Sequence, residues 1–147
     1  MYDLNIEFLE KYKKLEKLLN EMYSSARGVN DYILDMEKFN YDYAVNKINN
    51  WDETYKNLKH SRWMRNQLAH DVPIYSELCE QSDINWIDEF YCDLFNYKDP
   101  LALFYKIKRE NSNLIKNNVA KENNEFKKEN KSLFEKIIEK IKKLIKL

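Results

Sequence analysis

The sequence predicts an all-α protein: an up-and-down bundle of about five helices with a basic amphipathic helix at its C-terminal end. Three observations predict it. One glycine and two prolines among 147 residues leave little material for hairpins, sandwiches or phosphate-cradling loops. Apolar residues recur at intervals of three and four along most of the chain, the period of a helix that buries one stripe. A hydrophobic fraction of 44%, with 14% aromatics, suffices for a core at this length without disulfide or metal staples.

Phe8, Tyr12, Leu15, Leu19 and Met22 form one stripe, so the first helix is expected over Leu4 to Tyr23. The segment Ser24 to Gly28 breaks it, with Gly28 expected to supply the positive φ that a helix C-cap favours. A second helix starts near Asn30 and carries Tyr32, Ile33, Met36 and Phe39. The aromatic-rich stretch Tyr41 to Ile48 continues it or forms a short separate turn. Asn50 followed three positions later by Glu53 is a capping-box arrangement that opens a third helix. This helix is expected to end near His70, because Pro73 disfavours helical geometry at Val72 and lacks a backbone donor. Ser82 or Asp83 can cap a fourth helix through Ile84, Trp86, Ile87, Phe90, Tyr91, Leu94 and Phe95. Asp99 before Pro100 joins an N-cap to proline at the first helical position, so a fifth helix follows.

From Asn111 to Asn130 the chain is rich in Asn, Lys and Glu and reads as an exposed helix or a frayed connector. Phe134, Ile137, Ile141 and Leu144 then restore a stripe, flanked by Leu133, Ile138 and Ile145 and interleaved with lysines. The division expected is a helical bundle over residues 1–110 and a basic helical extension over 111–147, packed on the bundle or paired with a second chain. Residues 101–147 hold thirteen Lys and Arg against six Glu, a balance of +7 that residues 1–100 offset. Such asymmetry suits either a lysine-solvated helix or a tail that meets an acidic surface or nucleic acid.

Cys79 and Cys92 stand thirteen apart with no paired motif, so free thiols are expected, with no zinc site and no cofactor. The N-terminus lacks a charged segment followed by an apolar run, and no stretch approaches the length of a membrane span. A cytoplasmic protein without a membrane partner is the expectation. Trp51, Trp63 and Trp86 are read as core or interface residues, His60 as a surface or interface residue, and Cys79 as structural.

The third helix carries the chemistry. With Arg62 at zero and about 100° per residue, Trp51, Tyr55 and Leu58 fall within about 40° of it, and Arg65, Asn66, Ala69 and His70 share the same broad face. One side of the helix therefore changes from aromatic and aliphatic to cationic towards its C-terminal end. Guanidinium binds phosphate bidentately, and imidazole titrates near neutral pH. An anion with a proton to move is the natural ligand, and Lys56, Lys59 and His60 add local positive charge.

The segment Arg65-Asn66-Gln67-Leu68-Ala69-His70, an Arg-polar-x-x-x-His pattern at the end of a helix, resembles the signature of HEPN-domain ribonucleases, a superfamily that includes bacterial helical proteins of unknown function. Arg65, Asn66 and His70 match that motif, and Ala69 and Asp71 fit its usual surroundings. The resemblance covers residues 4–110 in architecture and only these positions in detail. It implies metal-independent cleavage of RNA by a homodimer, with the two motifs facing each other across the two-fold axis, in stress response or phage defence and with a protein antitoxin as a candidate partner. Within that frame Arg65 holds the scissile phosphate, His70 transfers protons, and Asn66 orients groups or the dimer contact. Arg62, Lys59 and Asp35 are the expected substrate-binding residues, Asp35 or Glu37 supplying the acidic group that many such sites draw from the preceding helix. Val72 stands where one branch of the family has a tyrosine, and Tyr75 is three positions further on, so regulation through that tyrosine is not expected.

Other readings remain open. Arg65 can pair with an acidic residue such as Asp35 while His70 caps the helix end. The same bundle can be a non-catalytic module that dimerises and binds RNA or a protein. A helical adaptor or membrane-surface protein driven by the basic C-terminal helix is a third.

Overall fold

A computed structural model describes residues 3–70 and 77–145, and every structural statement below concerns those residues. The elements are α1 (Leu4–Tyr23), α2 (Gly28–Phe39), a 3-10 helix (Tyr43–Lys47), α3 (Trp51–His70), α4 (Gln81–Phe95) and α5 (Pro100–Ile145). The fold is an all-α helical bundle. Its contacts divide the chain into two compact units, Met1–Lys106 and Ile107–Leu147. Pro73, which was expected to close α3, lies outside the described residues, as do Asp71, Val72 and Tyr75.

In the first unit, α1 is the central helix and touches α2, α3 and α4. Its stripe of Phe8, Tyr12, Leu15 and Leu19 is buried, as the spacing predicts, whereas Met22 at the end of the stripe is half exposed. Asp3 caps α1 by accepting from the Asn5 N–H at 2.9 Å. Asn5 is itself buried, and its Oδ1 accepts from the N–H groups of Leu78 (3.3 Å) and Cys79 (3.1 Å). That amide fastens the chain before α4 to the first turn of α1, in place of an apolar contact.

The break between α1 and α2 is where expected, but its chemistry differs. Ser24, at φ 49°, takes the left-handed C-cap, and its N–H lies over the carbonyls of Asn20 and Glu21. Gly28 has no positive φ and is the first residue of α2, two positions earlier than the sequence suggested. It is glycine for a different reason. A Cβ at Gly28 would sit 2.3 Å from the Leu19 carbonyl carbon and 2.4 Å from the Asn20 nitrogen, inside the backbone of α1. The Gly28 N–H also donates to Asn20 Oδ1 at 2.7 Å.

The remaining boundaries follow local rules. Tyr41 to Ile48 resolves into a separate 3-10 helix, capped by the Asp42 side chain at the Ala44 N–H (3.0 Å). α3 opens with the Asn50 carbonyl accepting from the Thr54 N–H at 3.0 Å. At α4 neither Ser82 nor Asp83 is the N-cap: Glu80 takes that place, and Asp83, three residues on, accepts from the Glu80 N–H at 2.8 Å. The acidic group thus completes the far side of a capping box.

Asp99 and Pro100 open α5 as predicted, and their surroundings join it to α2. Asp99 Oδ2 accepts from the Tyr32 hydroxyl (2.8 Å) and the Ala102 N–H (3.3 Å), and Tyr32 Oη accepts from the Leu101 N–H (3.2 Å). Asp99 is 3% and Tyr32 1% exposed. Phe104 in the next turn stacks on Phe39 at 4.5 Å and tilts against Trp51 at 5.9 Å. Trp51 is a core residue, as expected; Trp86 is half-buried on Phe90, and Trp63 is half exposed.

The second unit is helical throughout. The expected fifth helix, the Asn-rich stretch and the final stripe belong to the single element Pro100–Ile145. Nothing between Leu101 and Ile145 interrupts it, since that span contains no glycine or proline. Among the described residues no helix is long and apolar enough to cross a membrane.

Two predictions follow from these contacts. Gly28→Ala should cost about 2–3 kcal/mol in urea unfolding, because the obstruction is backbone and cannot rotate away. The second concerns Asp99, whose carboxyl burial pushes above its ordinary value while the hydrogen bonds oppose the shift. The folded chain therefore holds that proton more tightly than the unfolded one, and its contribution to stability falls as pH rises from the ordinary carboxylate range through the raised value. Asp99→Asn keeps a cap acceptor and should remove that slope from a Tm series between pH 4 and 7. Asp99→Ala should cost about 2–3 kcal/mol, because it strands the Tyr32 hydroxyl and the Ala102 N–H.

Candidate functional site

Trp51, Thr54, Leu58, Ser61, Met64 and Leu68 of α3 are buried, so this helix keeps a packed stripe along its whole length. The stripe rotates by roughly 100° from one end to the other. The cationic residues therefore flank the buried face towards the C-terminal end, where the sequence suggested that they replace it. Arg62 and Arg65 are half-buried at that edge, and Asn66 and His70 are exposed.

At this edge lies a cleft of about 130 Å³. Tyr12 and Glu16 of α1, Ala26 and Arg27 of the connection, Val29 and Asn30 of the first turn of α2, and Arg62, Arg65 and Asn66 of α3 line it. The tight α1–α2 crossing at Gly28 is what brings the two sides of the connection to the same place. Three guanidinium groups and one carboxylate make the lining cationic. The cleft also adjoins the N-terminus of α2, whose cap residue Arg27 makes no side-chain hydrogen bond to the helix. That end carries the positive pole of the helix dipole.

The guanidinium groups differ in their commitments. Arg62 Nη1 donates to Asn30 Oδ1 at 2.9 Å, which ties α3 to α2. Arg65 Nη1 donates only weakly, at 3.3 Å, to its neighbour Asn66 Oδ1. Among the described residues neither arginine forms a salt bridge, whereas Lys11 pairs with Asp88 at 3.0 Å and His60 Nε2 lies 3.4 Å from Asp83 Oδ1. The Tyr12 phenol on the cleft wall is pushed up to about 12 by burial, with Glu16 adding to the shift and Arg65 and Arg62 opposing it. It is a neutral hydrogen-bonding group at physiological pH and not a base.

The other residues singled out from the sequence lie elsewhere. His70 ends α3, one turn beyond Asn66 on the same side, and is not among the residues lining the cleft. Lys59 stands over the Tyr55 ring at 5.1 Å, and Asp35 accepts from the Tyr23 hydroxyl at 2.8 Å, so Asp35 is not the partner of Arg65. Glu37 accepts from the Tyr55 hydroxyl at 2.7 Å. The carboxylate that reaches the cleft is Glu16, from the first helix. His60, exposed as expected, stacks on Trp63 at 6.0 Å. Cys79 is buried, with its thiol pushed up to about 11 by that burial, and both cysteines are free. Among the described residues no group of three or more His, Cys, Asp or Glu is arranged to hold a metal ion.

Sequence reasoning missed Arg27, Asn30, Tyr12 and Glu16. Tyr12 was legible only as a core residue, and Arg27 only as a cation beside the break. The geometry suits a small oxyanion. A water molecule occupies about 30 Å³ of liquid, so the cleft takes a group the size of one phosphate and leaves the rest of a nucleotide outside. Fork-shaped donors converging from two elements favour such a group.

Helical bundle and cleft together define an all-α protein with a cationic cleft at one edge of the first unit. Over residues 6–145 the chain matches the family of unknown function DUF6548, and it belongs to that family. No curated protein and no solved structure matches it.

The two arginines should separate in denaturant unfolding. Arg62→Ala leaves Asn30 Oδ1 without its donor and should cost about 1–2 kcal/mol. Arg65→Ala should stay within about 0.5 kcal/mol of the parent, as expected of a side chain that the fold does not use.

Proposed function

We propose that the cleft binds the phosphodiester of RNA and that the protein is a HEPN-like, metal-independent endoribonuclease acting as a cytoplasmic homodimer. The observation that carries the reading is that Arg65 and Asn66 of the Arg-Asn-x-x-x-His segment share one cleft with Arg62 and Arg27, while Arg65 has no carboxylate partner among the described residues.

In this reading Arg65 and Arg27 hold the two non-bridging oxygens and stabilise the charge that grows on them in the transition state. The ribose 2′-OH, which RNA has and DNA lacks, attacks the phosphorus. His70 takes its proton as the O–P bond forms, and the His70 of a second copy gives a proton to the departing 5′ oxygen. The products are a 2′,3′-cyclic phosphate and a 5′-hydroxyl. His60 cannot be the second group, since ten residues of helix separate it from His70 by about 15 Å. Stress response or phage defence, with a protein antitoxin as partner, is the setting that goes with the resemblance.

A second reading has its own support. His70 does not line the cleft, which suits a module that binds RNA or a protein partner through its arginines and leaves it intact.

Labelled single-stranded RNA incubated with the full chain in EDTA distinguishes them. Cleavage to cyclic-phosphate ends is expected, reduced at least 100-fold by Arg65→Ala or His70→Ala with helicity and Tm retained. Binding that persists without any cleavage selects the second reading, and loss of neither binding nor cleavage in the variants removes the site altogether.

A further inference from the structure

The unbroken helix over residues 107–145 fixes the relative direction of every side chain along the second unit. With that single phase, a seven-residue repeat emerges where the composition alone suggested a connector. Val119, Phe126 and Leu133 recur at intervals of seven, and Asn123, Asn130, Ile137 and Leu144 form a second series set four residues behind. These are the d and a positions of a heptad. Val119 is 49%, Phe126 64% and Leu133 58% exposed, and both asparagines are exposed. Lys140 takes the next d position; after Ile137 a second four-residue step, to Ile141, shifts the pattern, and Phe134, Ile141 and Ile145 widen the band on the same side.

We propose that this helix is the interface for a second copy of the chain, and that the two copies form a parallel coiled coil over residues 119–137, between the lysines at the a position 116 and the d position 140. The asparagines decide both the occupant and its direction. In a parallel pair each a residue faces its own counterpart, so Asn123 meets Asn123 and Asn130 meets Asn130, each amide donating and accepting across the seam. In an antiparallel pair a faces d, and the amides would be buried against Val119, Phe126 or Leu133 with no partner. Lipid offers them no partner either. The flanking charges agree with the parallel arrangement. Glu122 falls at g and Lys127 at e, and g faces the e position five residues further along the other helix, so two opposite-charge pairs form by symmetry. Ile115 and Ala120 occupy the preceding g and e positions, which adds no repulsion. The inference does not depend on RNA cleavage, because it rests on residues outside the cleft.

Sedimentation of the full chain should give twice the 18.0 kDa chain mass. In a Cys92→Ser background, Asn123→Cys should form a disulfide between copies under mild oxidation. Glu122→Lys should weaken association roughly tenfold, and adding Lys127→Glu to it should restore the parent value. Phe126→Glu with Leu133→Glu should give a monomer whose first unit keeps its near-ultraviolet circular dichroism. Asn123→Val with Asn130→Val should give a tighter but mixed set of oligomers. A full chain that stays monomeric at tens of micromolar overturns the proposal. So does a dimer in which Asn123→Cys fails to cross-link, or a chain that floats with anionic vesicles and remains monomeric without them.

Discussion

The first unit depends on one close approach. α2 begins where its backbone lies against the last turns of α1, near enough that the hydrogen of Gly28 fits and a methyl group does not. The Asn20 side chain fastens the crossing from the α1 side, and Ser24 turns the chain into it by adopting the left-handed conformation. Everything at the candidate site inherits that geometry. Arg27 is the residue before the contact and Asn30 two after it, while Glu16 and Tyr12 stand about one and two turns back along α1. A looser crossing would leave these groups on separate surfaces, and the arginines of α3 would face solvent without a cleft.

Buried polar groups do much of the remaining positioning. Asn5 holds the chain ahead of α4, and Tyr32 with Asp99 holds the start of α5. In each case a side chain satisfies backbone donors that a loop or helix end would otherwise leave unpaired in a dry environment. Asp99 accepts a desolvation penalty to do so, which is why its carboxyl shifts upward although two donors face it. The same exchange explains why Arg62 and Arg65, three residues apart on one helix, are so different. Arg62 satisfies Asn30 and belongs to the packing, whereas Arg65 reaches only a neighbouring amide on its own helix, at longer range.

The two units follow opposite logics. The first closes its apolar stripes inside itself, from Phe8 to Leu19 on α1 and from Ile84 to Leu94 on α4. The second leaves its stripe in water and interrupts it with amides at a fixed interval. Where a stripe is meant for the protein's own core, polar interruptions are a cost with no return; where it meets its own image, they set alignment.

Much of this was written in local pattern. The all-α class, the extent of α1, the cap at Asp99-Pro100 and the Arg65-Asn66-x-x-x-His70 segment are legible because each depends on residues within a turn or two of one another, and helix periodicity and capping are local physics. The sequence alone also determined that Ser24 to Gly28 is a break. It did not determine why, since an exclusion by the backbone of a neighbouring helix leaves no trace in the residues beside the glycine. Nor could it gather Arg27, Glu16 and Asn30 around Arg65, or show that Asp35 belongs to Tyr23, because such neighbours come from different helices, and which helix faces meet is decided by packing the whole core at once. Tertiary structure decided the cleft for that reason, while one-dimensional order decided the helices that form it.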